Sequence, residues 1–405
     1  MNMPWQGETM ENKREKFVER CIAGEKSKSA LCREYGISRP TGDKWISRYQ
    51  KGESMSDQSR APHTRPKATP FETEAEIVAL RKKHPAIGAK KLKRMLENQG
   101  KPAPAYSTIN SILNRHGLIT KEASLASTPH IRFEKSEPNE MWQADFKGHF
   151  AMGNGARCHP LTVLDDHSRF SLCIDAKENE KLYGVQESFL RIFERYGLPD
   201  TLLCDNGNPW GTSQSTGYTM FEVWLMDLGI LTIHGRFRHP QTQGKEERFN
   251  GTLKRERLKF RQYEDIHQAQ TDFDSYRNFY NFERPHHALD LATPSTRYTD
   301  SLRKMPAQVE DWDYGADTIT RQLKQTGFLT FSGQGYFLSE AFGGKTVGLV
   351  ASKSGKGVFY VKYREFIIAK LSVDEKAFIS RRAFRYKSDL GALPQTPPSP
   401  GAGLQ

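Results

Sequence analysis

The spacing of apolar residues predicts two groups of short helices near the start of the chain. Apolar positions from Phe17 to Ile22 recur on one helix face. A short helix over 29–35, the turn Gly36-Ile37-Ser38 and a second helix carrying Trp45 follow. This order is typical of a helix-turn-helix, which we place over residues 10–51, and a plain three-helix bundle is the alternative.

The helix after this turn carries polar side chains suited to DNA. Ser38 is predicted to cap its N-terminus, because a serine oxygen accepts hydrogen bonds from the free N–H groups of a first helical turn. Its outer side is expected to reach phosphates or base edges in a major groove. The predicted contact residues are Arg39, Thr41, Lys44 and Arg48.

A second small helical unit is predicted over residues 70–120. Ile77 and Leu92 belong to its inner apolar stripe. Ser107 is expected to cap its last helix and Gly117 to end it. Two basic helical units in tandem favour DNA binding more strongly than either unit alone. The predicted contacts of this unit are Lys90, Lys91, Arg94, Ser107, Thr108 and Asn110.

From about residue 136 the pattern changes to strands that alternate with helices. Apolar and polar residues alternate from Met141 to Lys147, and Thr201–Cys204 is a short buried strand. Such alternation predicts an α/β core over residues 136–300. Further strands are expected at 160–163, 170–174 and 230–233, and helices at 181–196, 218–228 and 243–258.

Short β-rich runs broken by Gly and Ser take over after residue 318. They predict a small β-barrel over residues 318–385. The segment 390–405 is rich in Pro, Gly and Ser and is predicted to be disordered. The β-rich runs are 328–331, 347–350, 358–361 and 366–369.

The net charge of +12 is unevenly distributed along the chain. Residues 1–135 carry +11, residues 136–350 carry −5 and residues 351–405 carry +6. Basic segments bind phosphate backbones by releasing counterions, and an acidic middle suits hard divalent cations. An ordinary solvated surface would also account for the charge alone.

Several classes of protein are made improbable by what the sequence lacks. It has no run of about 18 apolar residues and no apolar signal core near Met1, so neither a membrane span nor secretion is expected. The five cysteines are scattered, which predicts reduced thiols rather than a zinc site or a disulfide framework. We therefore expect a cytoplasmic protein.

Three acids stand where carboxylates can meet. Asp145 lies within a predicted strand, Asp205 follows the strand 201–204, and Glu247 lies in the first turns of a helix. The ends of strands in α/β sheets are common ligand sites. Three converging carboxylates can hold two Mg²⁺ ions about 4 Å apart. Taken singly, each of these acids would more often be a turn or cap residue.

The ordered series of motifs around these acids resembles the core of retroviral-type integrases and related bacterial transposases. The two N-terminal units and the segment 206–210 are similar to the insertion sequence 481 group of transposases in particular. The motifs lie at 143–148, 161–169, 205–207, 239–250 and 280–294.

The resemblance implies a multidomain chain with tandem all-α helix-turn-helix units, an α/β ribonuclease H-like catalytic core and a C-terminal SH3-like β-barrel. It implies that Asp145, Asp205 and Glu247 are the catalytic, metal-holding acids. Gly244 and Asn250 set the register that favours Glu247 over Glu246. Lys254, seven residues further along the helix, could hold a DNA end.

The activity implied is that of a DDE transposase, named for its Asp, Asp and Glu. Such an enzyme binds the terminal repeats of a mobile element, hydrolyses phosphodiester bonds at its ends and joins the 3′-hydroxyl to target DNA. Two Mg²⁺ ions are implied, for which Mn²⁺ can substitute, and at least a homodimer on double-stranded DNA. The alternatives are a DNA-binding regulator with a dead core and a ribonuclease H-type hydrolase that cleaves without joining.

Overall fold

The structure is a computed structural model of the 405-residue chain. The chain divides into two compact units, Met1–Ala68 and Thr69–Gln405. The structure describes residues 9–58, 68–119, 134–205, 207, 209–211, 217–235, 244–352, 357–380 and 383–385. The predicted disordered tail at 390–405 and the motif residues 239–243 lie outside these ranges.

The first unit contains three helices, as predicted. Their bounds are α1 (Met10–Ile22), α2 (Lys28–Glu34) and α3 (Arg39–Gln50). Phe17, Leu31 and Trp45 meet in its small hydrophobic core. Gly36 takes a φ of 67°, which a residue without a Cβ adopts at low cost, and this turns the chain from α2 to α3.

Ser38 caps α3, as its place after the turn predicted. Its side chain accepts a hydrogen bond from the backbone N–H of Thr41 at 3.3 Å. The prediction that Arg48 lies on the outer side of α3 is wrong. Arg48 is only 8% exposed, because the chain folds back after α3 and Arg48 donates to the carbonyl of Ser56 at 3.2 Å. Its guanidinium also lies over the Trp45 ring.

The second unit begins with three more helices. They are α4 (Phe71–Lys83), α5 (Ala89–Asn98) and α6 (Tyr106–Arg115). Gly117 has a φ of 66° and follows the last turn of α6, as expected for a residue that ends a helix. Ser107 is not the cap of α6, because the helix already begins at Tyr106 and Ala105 occupies the N-cap position without a side-chain bond.

A mixed β-sheet forms the centre of the second unit. β1 pairs antiparallel with β3 and parallel with β5, β5 pairs parallel with β6, and both β2 and β4 pair with β3. β3 and β4 are longer than predicted, whereas β5 has the predicted bounds. Their bounds are β1 (Trp142–Phe146), β2 (Phe150–Ala151), β3 (Arg157–Asp165), β4 (Ser171–Lys177), β5 (Thr201–Cys204) and β6 (Leu231–His234).

Helices cover both faces of this sheet. Trp142 and Val163 on one face pack against Phe189 of α7 and Phe221 of α8 in one cluster. On the other face the sheet packs against α9 and α10. The bounds of these helices are α7 (Leu182–Tyr196), α8 (Met220–Asp227), α9 (Gly244–Glu256) and α10 (Ile266–Phe282).

The helices α4 to α6 share a hydrophobic cluster with the α/β core. Leu92 and Ile109 belong to the same buried cluster as Phe249 of α9 and Tyr276 of α10. The second helical unit is therefore packed on the face of the core that carries α9 and α10.

The C-terminal strands form an open sheet. Six of them pair in the order β13-β12-β11-β10-β7, with β14 beside β12, while β8 and β9 form a separate hairpin. Among the described residues no closed barrel forms, so the predicted strands are present but the barrel is not confirmed. Their bounds are β7 (Ile319–Gln322), β8 (Phe328–Phe331), β9 (Gln334–Phe337), β10 (Thr346–Ala351), β11 (Val358–Tyr363), β12 (Phe366–Ser372), β13 (Ala377–Ser380) and β14 (Phe384–Arg385).

This sheet is attached to α8 by apolar and polar contacts. Tyr218, just before α8, donates from its hydroxyl to the carbonyl of Ile368 at 2.6 Å. Asp227, the last residue of α8, accepts from Lys345 at 2.8 Å and from Arg364 at 3.2 Å.

The five cysteines are all free thiols, as predicted. In the described part of the chain no helix is long and apolar enough to cross a membrane.

Candidate active site

Asp145 lies near the end of β1, half-buried beneath α9. It pairs with Thr162 of β3 across the antiparallel ladder. Asn250 of α9 donates from Nδ2 to Oδ2 of Asp145 at 3.0 Å. The hydroxyl of Thr162 reaches both the Asp145 carbonyl, at 3.1 Å, and Oδ1 of Asn250, at 3.3 Å. These bonds fix the carboxylate of Asp145 and tie α9 to the sheet.

Asp205 follows β5, the parallel neighbour of β1, and is exposed. Burial raises the pKa of Asp145 to about 6, and the negative charge of Asp205 contributes to the increase. Hydrogen bonds from the Phe146 backbone and Asn250, and the charge of Lys147, oppose it. The two aspartates are thus close enough to repel each other when both are ionised.

Removing that repulsion should stabilise the metal-free protein. A raised pKa means that the ionised form of Asp145 is disfavoured in the fold, so the cost is present above pH 6 and disappears as pH falls through that value. Asp205→Asn is therefore expected to raise Tm at about pH 7.5 by about 1–2 °C. Differential scanning fluorimetry in EDTA would test this. An equal gain at about pH 5, where Asp145 is largely protonated, would contradict the explanation.

Two neighbouring glutamates at the start of α9 have opposite environments. Glu247, the predicted third acid, is exposed. Glu246 is 1% exposed, and within the described part of the chain neither of its carboxylate oxygens has a hydrogen-bond partner. Burial raises the pKa of Glu246 well above its usual range; the nearby Thr162 hydroxyl opposes this and the charge of Asp145 adds to it. Glu246 is therefore expected to be protonated.

The turn between β3 and β4 anchors the first residues of α9. Lys245 forms an ion pair with Asp166 at 2.5 Å. Asp166 also accepts from Gln143 at 2.6 Å and from the backbone N–H of Lys135 at 2.8 Å. Arg169, with a φ of 64°, donates to the Asp166 carbonyl. These contacts favour a structural role for Asp166 and Arg169 in this turn over a separate metal site.

The donor set at this site is suited to a hard divalent cation. The charges of Asp145 and Asp205 are close enough to interact. The buried carboxyl group of Glu246 has no hydrogen-bond partner among the described residues. Carboxylate oxygens are the ligands that Mg²⁺ prefers. Among the described residues, however, no three acidic, His or Cys side chains are already grouped closely enough to hold a metal. Glu247 would therefore have to approach the two aspartates.

The other predicted site residues lie mainly on helix surfaces. In the first unit Arg39 and Lys44 are exposed and Thr41 is half-buried. The predicted contact residues of the second helical unit and of α9 that are exposed or half-buried are Lys90, Arg94, Ser107, Thr108, Asn110 and Lys254.

Lys91 differs from these because it is directed towards the core. Its pKa is lowered to about 7, chiefly by burial and then by the charge of Arg284, while Glu256 opposes the shift. This position favours a contact between α5 and the core over a contact with DNA.

Four family models match parts of the chain. Two described as an integrase core domain match residues 135–240 and 228–294. A helix-turn-helix domain matches residues 13–63, and a homeodomain-like domain matches residues 41–113. The integrase matches cover β1 to α10, which contain Asp145, Asp205 and Glu247.

Two bacterial relatives come from insertion elements. An uncharacterized 31.7 kDa protein of IS407 from Burkholderia multivorans is 26% identical over 225 residues, which are 55% of this chain and 78% of the relative. An uncharacterized 39.2 kDa protein of IS476 from Xanthomonas euvesicatoria is 26% identical over 230 residues, or 55% of this chain and 63% of that relative. The chain thus combines helix-turn-helix domains with an integrase core domain and is similar to proteins of bacterial insertion elements.

Solved structures similar to this chain come from retroviruses. The catalytic core of HTLV-2 integrase, solved with magnesium, is 18% identical and covers 40% of this chain and 97% of its own, with a TM-score of 0.31. The intasome of simian T-cell lymphotropic virus is 14% identical and covers 70% of this chain and 91% of its own, with a TM-score of 0.36.

Two features of the integrase core were not found from the sequence. Glu256 of α9 accepts from Arg284 through both carboxylate oxygens, at 2.6 and 2.8 Å. The motif at 280–294 did not identify this partner of Arg284. His234, at the end of β6, contacts the Asp205 carbonyl at 3.0 Å. A lone histidine at a strand end carries no sequence signal for such a contact.

Proposed function

We propose that this protein cuts the ends of a mobile DNA element and joins them to a new target. The observation that carries the proposal is the placement of Asp145 and Asp205 near the ends of adjacent parallel strands, within a matched integrase core. Asn250, on the helix that carries Glu247, contacts Asp145. Carboxylates in this arrangement suit phosphodiester chemistry, because charge develops on phosphate oxygens in the transition state.

Asp145, Asp205 and Glu247 would hold two Mg²⁺ ions, with Mn²⁺ as a substitute. When bound, the ions supply activation of the attacking oxygen and stabilisation of the leaving oxygen. Asn250 keeps Asp145 oriented, and Lys245 holds the start of α9 against Asp166. These contacts would hold Asp145 and the start of α9 in position before DNA arrives. Glu247 would then complete the group of three metal ligands.

DNA would be held by the helical units and by α9. The exposed residues Arg39, Lys44 and Lys90 can neutralise phosphates, and Lys254 lies seven residues after Glu247 on the same helix. Since two element ends must be joined together, at least a homodimer on DNA is proposed. We also propose that the C-terminal sheet has the role of an SH3-like barrel. The chain would then be a member of the insertion sequence 481 group.

A strand-transfer assay tests this proposal. The substrate is a labelled DNA fragment from just outside the gene, incubated with full-length protein and Mg²⁺. Joined product is expected with the wild type, and no product with Asp205→Asn or after addition of EDTA, while binding of the fragment by Asp205→Asn persists. Equal joining by Asp205→Asn would refute the assignment. Tight binding without cutting or joining, also in Mn²⁺ and with several fragments, would favour a regulator with a dead core.

A further inference from the structure

His234 connects two parts of the core that are distant in sequence. It is the last residue of β6 and lies opposite Cys204, the residue before Asp205, in the parallel ladder. Its Nδ1 is 3.0 Å from the carbonyl oxygen of Asp205, and its Nε2 is 3.0 Å from Oε1 of Glu222. The ring therefore bridges the backbone of a catalytic acid and a carboxylate on α8.

Glu222 is itself firmly held. Its Oε2 accepts from the backbone N–H of Thr219 at 2.6 Å and from the Thr219 hydroxyl at 3.0 Å, while Thr219 caps the Glu222 N–H at 3.2 Å. This reciprocal capping box fixes both residues at the start of α8. Since one oxygen of Glu222 is bound in this way, the other is presented to His234 from a fixed position.

The ring of His234 also packs against the chain that follows Asp205. A Cβ added at Gly211 would come within 2.7 Å of the imidazole. Real Cβ atoms do not approach other atoms so closely, so a side chain at Gly211 would displace the ring. The segment around Asp205 thus meets His234 both at the Asp205 carbonyl and at Gly211.

A backbone bond of the β5–β6 ladder runs from Gly235 to the Cys204 carbonyl, at 3.1 Å. Asp205 is the next residue after Cys204 and the first after β5 ends, and the direction of its backbone determines where its carboxylate lies. Small changes in that direction move a carboxylate relative to its partner, and metal sites lose affinity when outer residues that orient their ligands are removed.

We propose that His234 is a positioning residue that orients Asp205 for metal binding by tying its backbone carbonyl to Glu222. The proposal rests on the proposed function, because it requires Asp205 to be a metal ligand. His234 itself does not touch the metal or the DNA; it acts through Asp205.

The two ring nitrogens can be tested separately by substitution. Asparagine places an N–H group near the position of Nδ1, so His234→Asn retains a donor for the Asp205 carbonyl. Glutamine reaches the position of Nε2, so His234→Gln keeps a partner for Glu222 and loses the bond to Asp205. His159→Gln is the matched control, because His159 forms a similar pair with Glu180 at 2.8 Å in the same sheet.

Mn²⁺ binding to the full-length variants, measured from the electron paramagnetic resonance signal of free Mn²⁺, provides a readout that is independent of turnover. His234→Gln is expected to raise the Kd for Mn²⁺ about tenfold. His234→Asn should remain within about threefold of wild type, and His159→Gln within about twofold. Binding of an element-end fragment should be unchanged in all three, which a general loss of structure would not allow.

Glu222→Gln supplies a second test should His234→Gln fail to fold, since it leaves the imidazole in place and weakens only its anchor. A Kd for Mn²⁺ raised about threefold is expected. If both His234→Gln and Glu222→Gln bind Mn²⁺ within twofold of wild type, or if His234→Asn loses as much affinity as His234→Gln, this inference alone is overturned. Absence of Mn²⁺ binding by the wild type would overturn it together with the proposed function.

Discussion

Glu247→Gln is expected to reduce strand transfer by about a thousandfold or more, whereas Glu246→Gln should retain activity within about tenfold of wild type. The two residues are adjacent in α9 and carry the same side chain. Only their environments differ, so the pair forms an internal comparison. Strand transfer and end cleavage with Mg²⁺, measured side by side, would provide the result.

The expected difference follows from the environments of the two glutamates. Glu247 is exposed and can therefore turn towards a metal ion. Glu246 is buried, no described residue donates a hydrogen bond to its carboxylate oxygens, and burial raises its pKa, which favours the neutral form. A carboxamide has nearly the size of a neutral carboxyl, so Glu246→Gln changes the packing little. Loss of the Glu247 carboxylate removes a ligand that no neighbour replaces.

The opposite result would be equally informative. If Glu246→Gln abolished joining and Glu247→Gln did not, the third ligand would be the buried acid beside Asp145. Burial of Glu246 would then be a property of the metal-free protein alone. Measuring fragment binding for both variants separates this outcome from a loss of folding.

Much of the active site could be predicted from the sequence because it follows from local rules. The strand Thr201–Cys204 was predicted with its exact bounds, since a short apolar run ends abruptly at Asp205. That position, at the end of a strand in an α/β sheet, is where ligand-binding acids occur. Asn250 was useful for setting the register of α9, and the structure places it in contact with Asp145.

The predicted side-chain positions that differ from the structure depend on contacts between residues distant in sequence. Arg48 was expected on the outer side of α3, but the segment that folds back to Ser56 buries it. Lys91 was grouped with its basic neighbours, yet the packing of α5 against α9 directs it towards Glu256 and Arg284. Neither outcome can be obtained from helical spacing, because spacing says which residues share a face and not what covers that face.

The C-terminal barrel was predicted from the β-rich runs, and its SH3-like character from the resemblance. The β-rich runs predicted at 328–331 and 366–369 are strands of the structure. Whether such strands close on themselves depends on pairing between the first and last of them. In the described residues β7 and β13 lie at opposite edges of the sheet. Local sequence patterns do not contain that information.

Arg284→Met is expected to lower the free energy of unfolding by about 3–5 kcal/mol, because it leaves a buried carboxylate without its partner. Arg284 is 5% exposed and donates to both oxygens of Glu256. Tyr276 would remain as a donor to Glu256, at 3.1 Å, but it cannot neutralise the charge. Urea unfolding followed by circular dichroism would measure the change.

Two companion variants make the test specific to the buried pair. Arg191→Met removes another arginine–carboxylate pair, but the Arg191 side chain is 56% exposed and its partner Asp175 keeps a bond from Ser188, so a loss below about 1 kcal/mol is expected. The double variant Arg284→Met with Glu256→Gln should recover much of the stability, since no unpaired charge remains. Equal losses for Arg284→Met and Arg191→Met would show that burial of the pair does not determine its contribution.

The Arg284–Glu256 pair also has a consequence for catalysis. Glu256 is the last residue of α9. The first turn of the same helix carries Glu247, and Asn250 in its middle donates a hydrogen bond to Asp145. The C-terminal end of this helix is therefore fixed to α10 and its start to Asp166 through Lys245. Loss of the first anchor should increase the movement of the whole helix. We expect Arg284→Met to weaken strand transfer at temperatures where the protein is still folded, while the double variant regains stability without fully regaining activity.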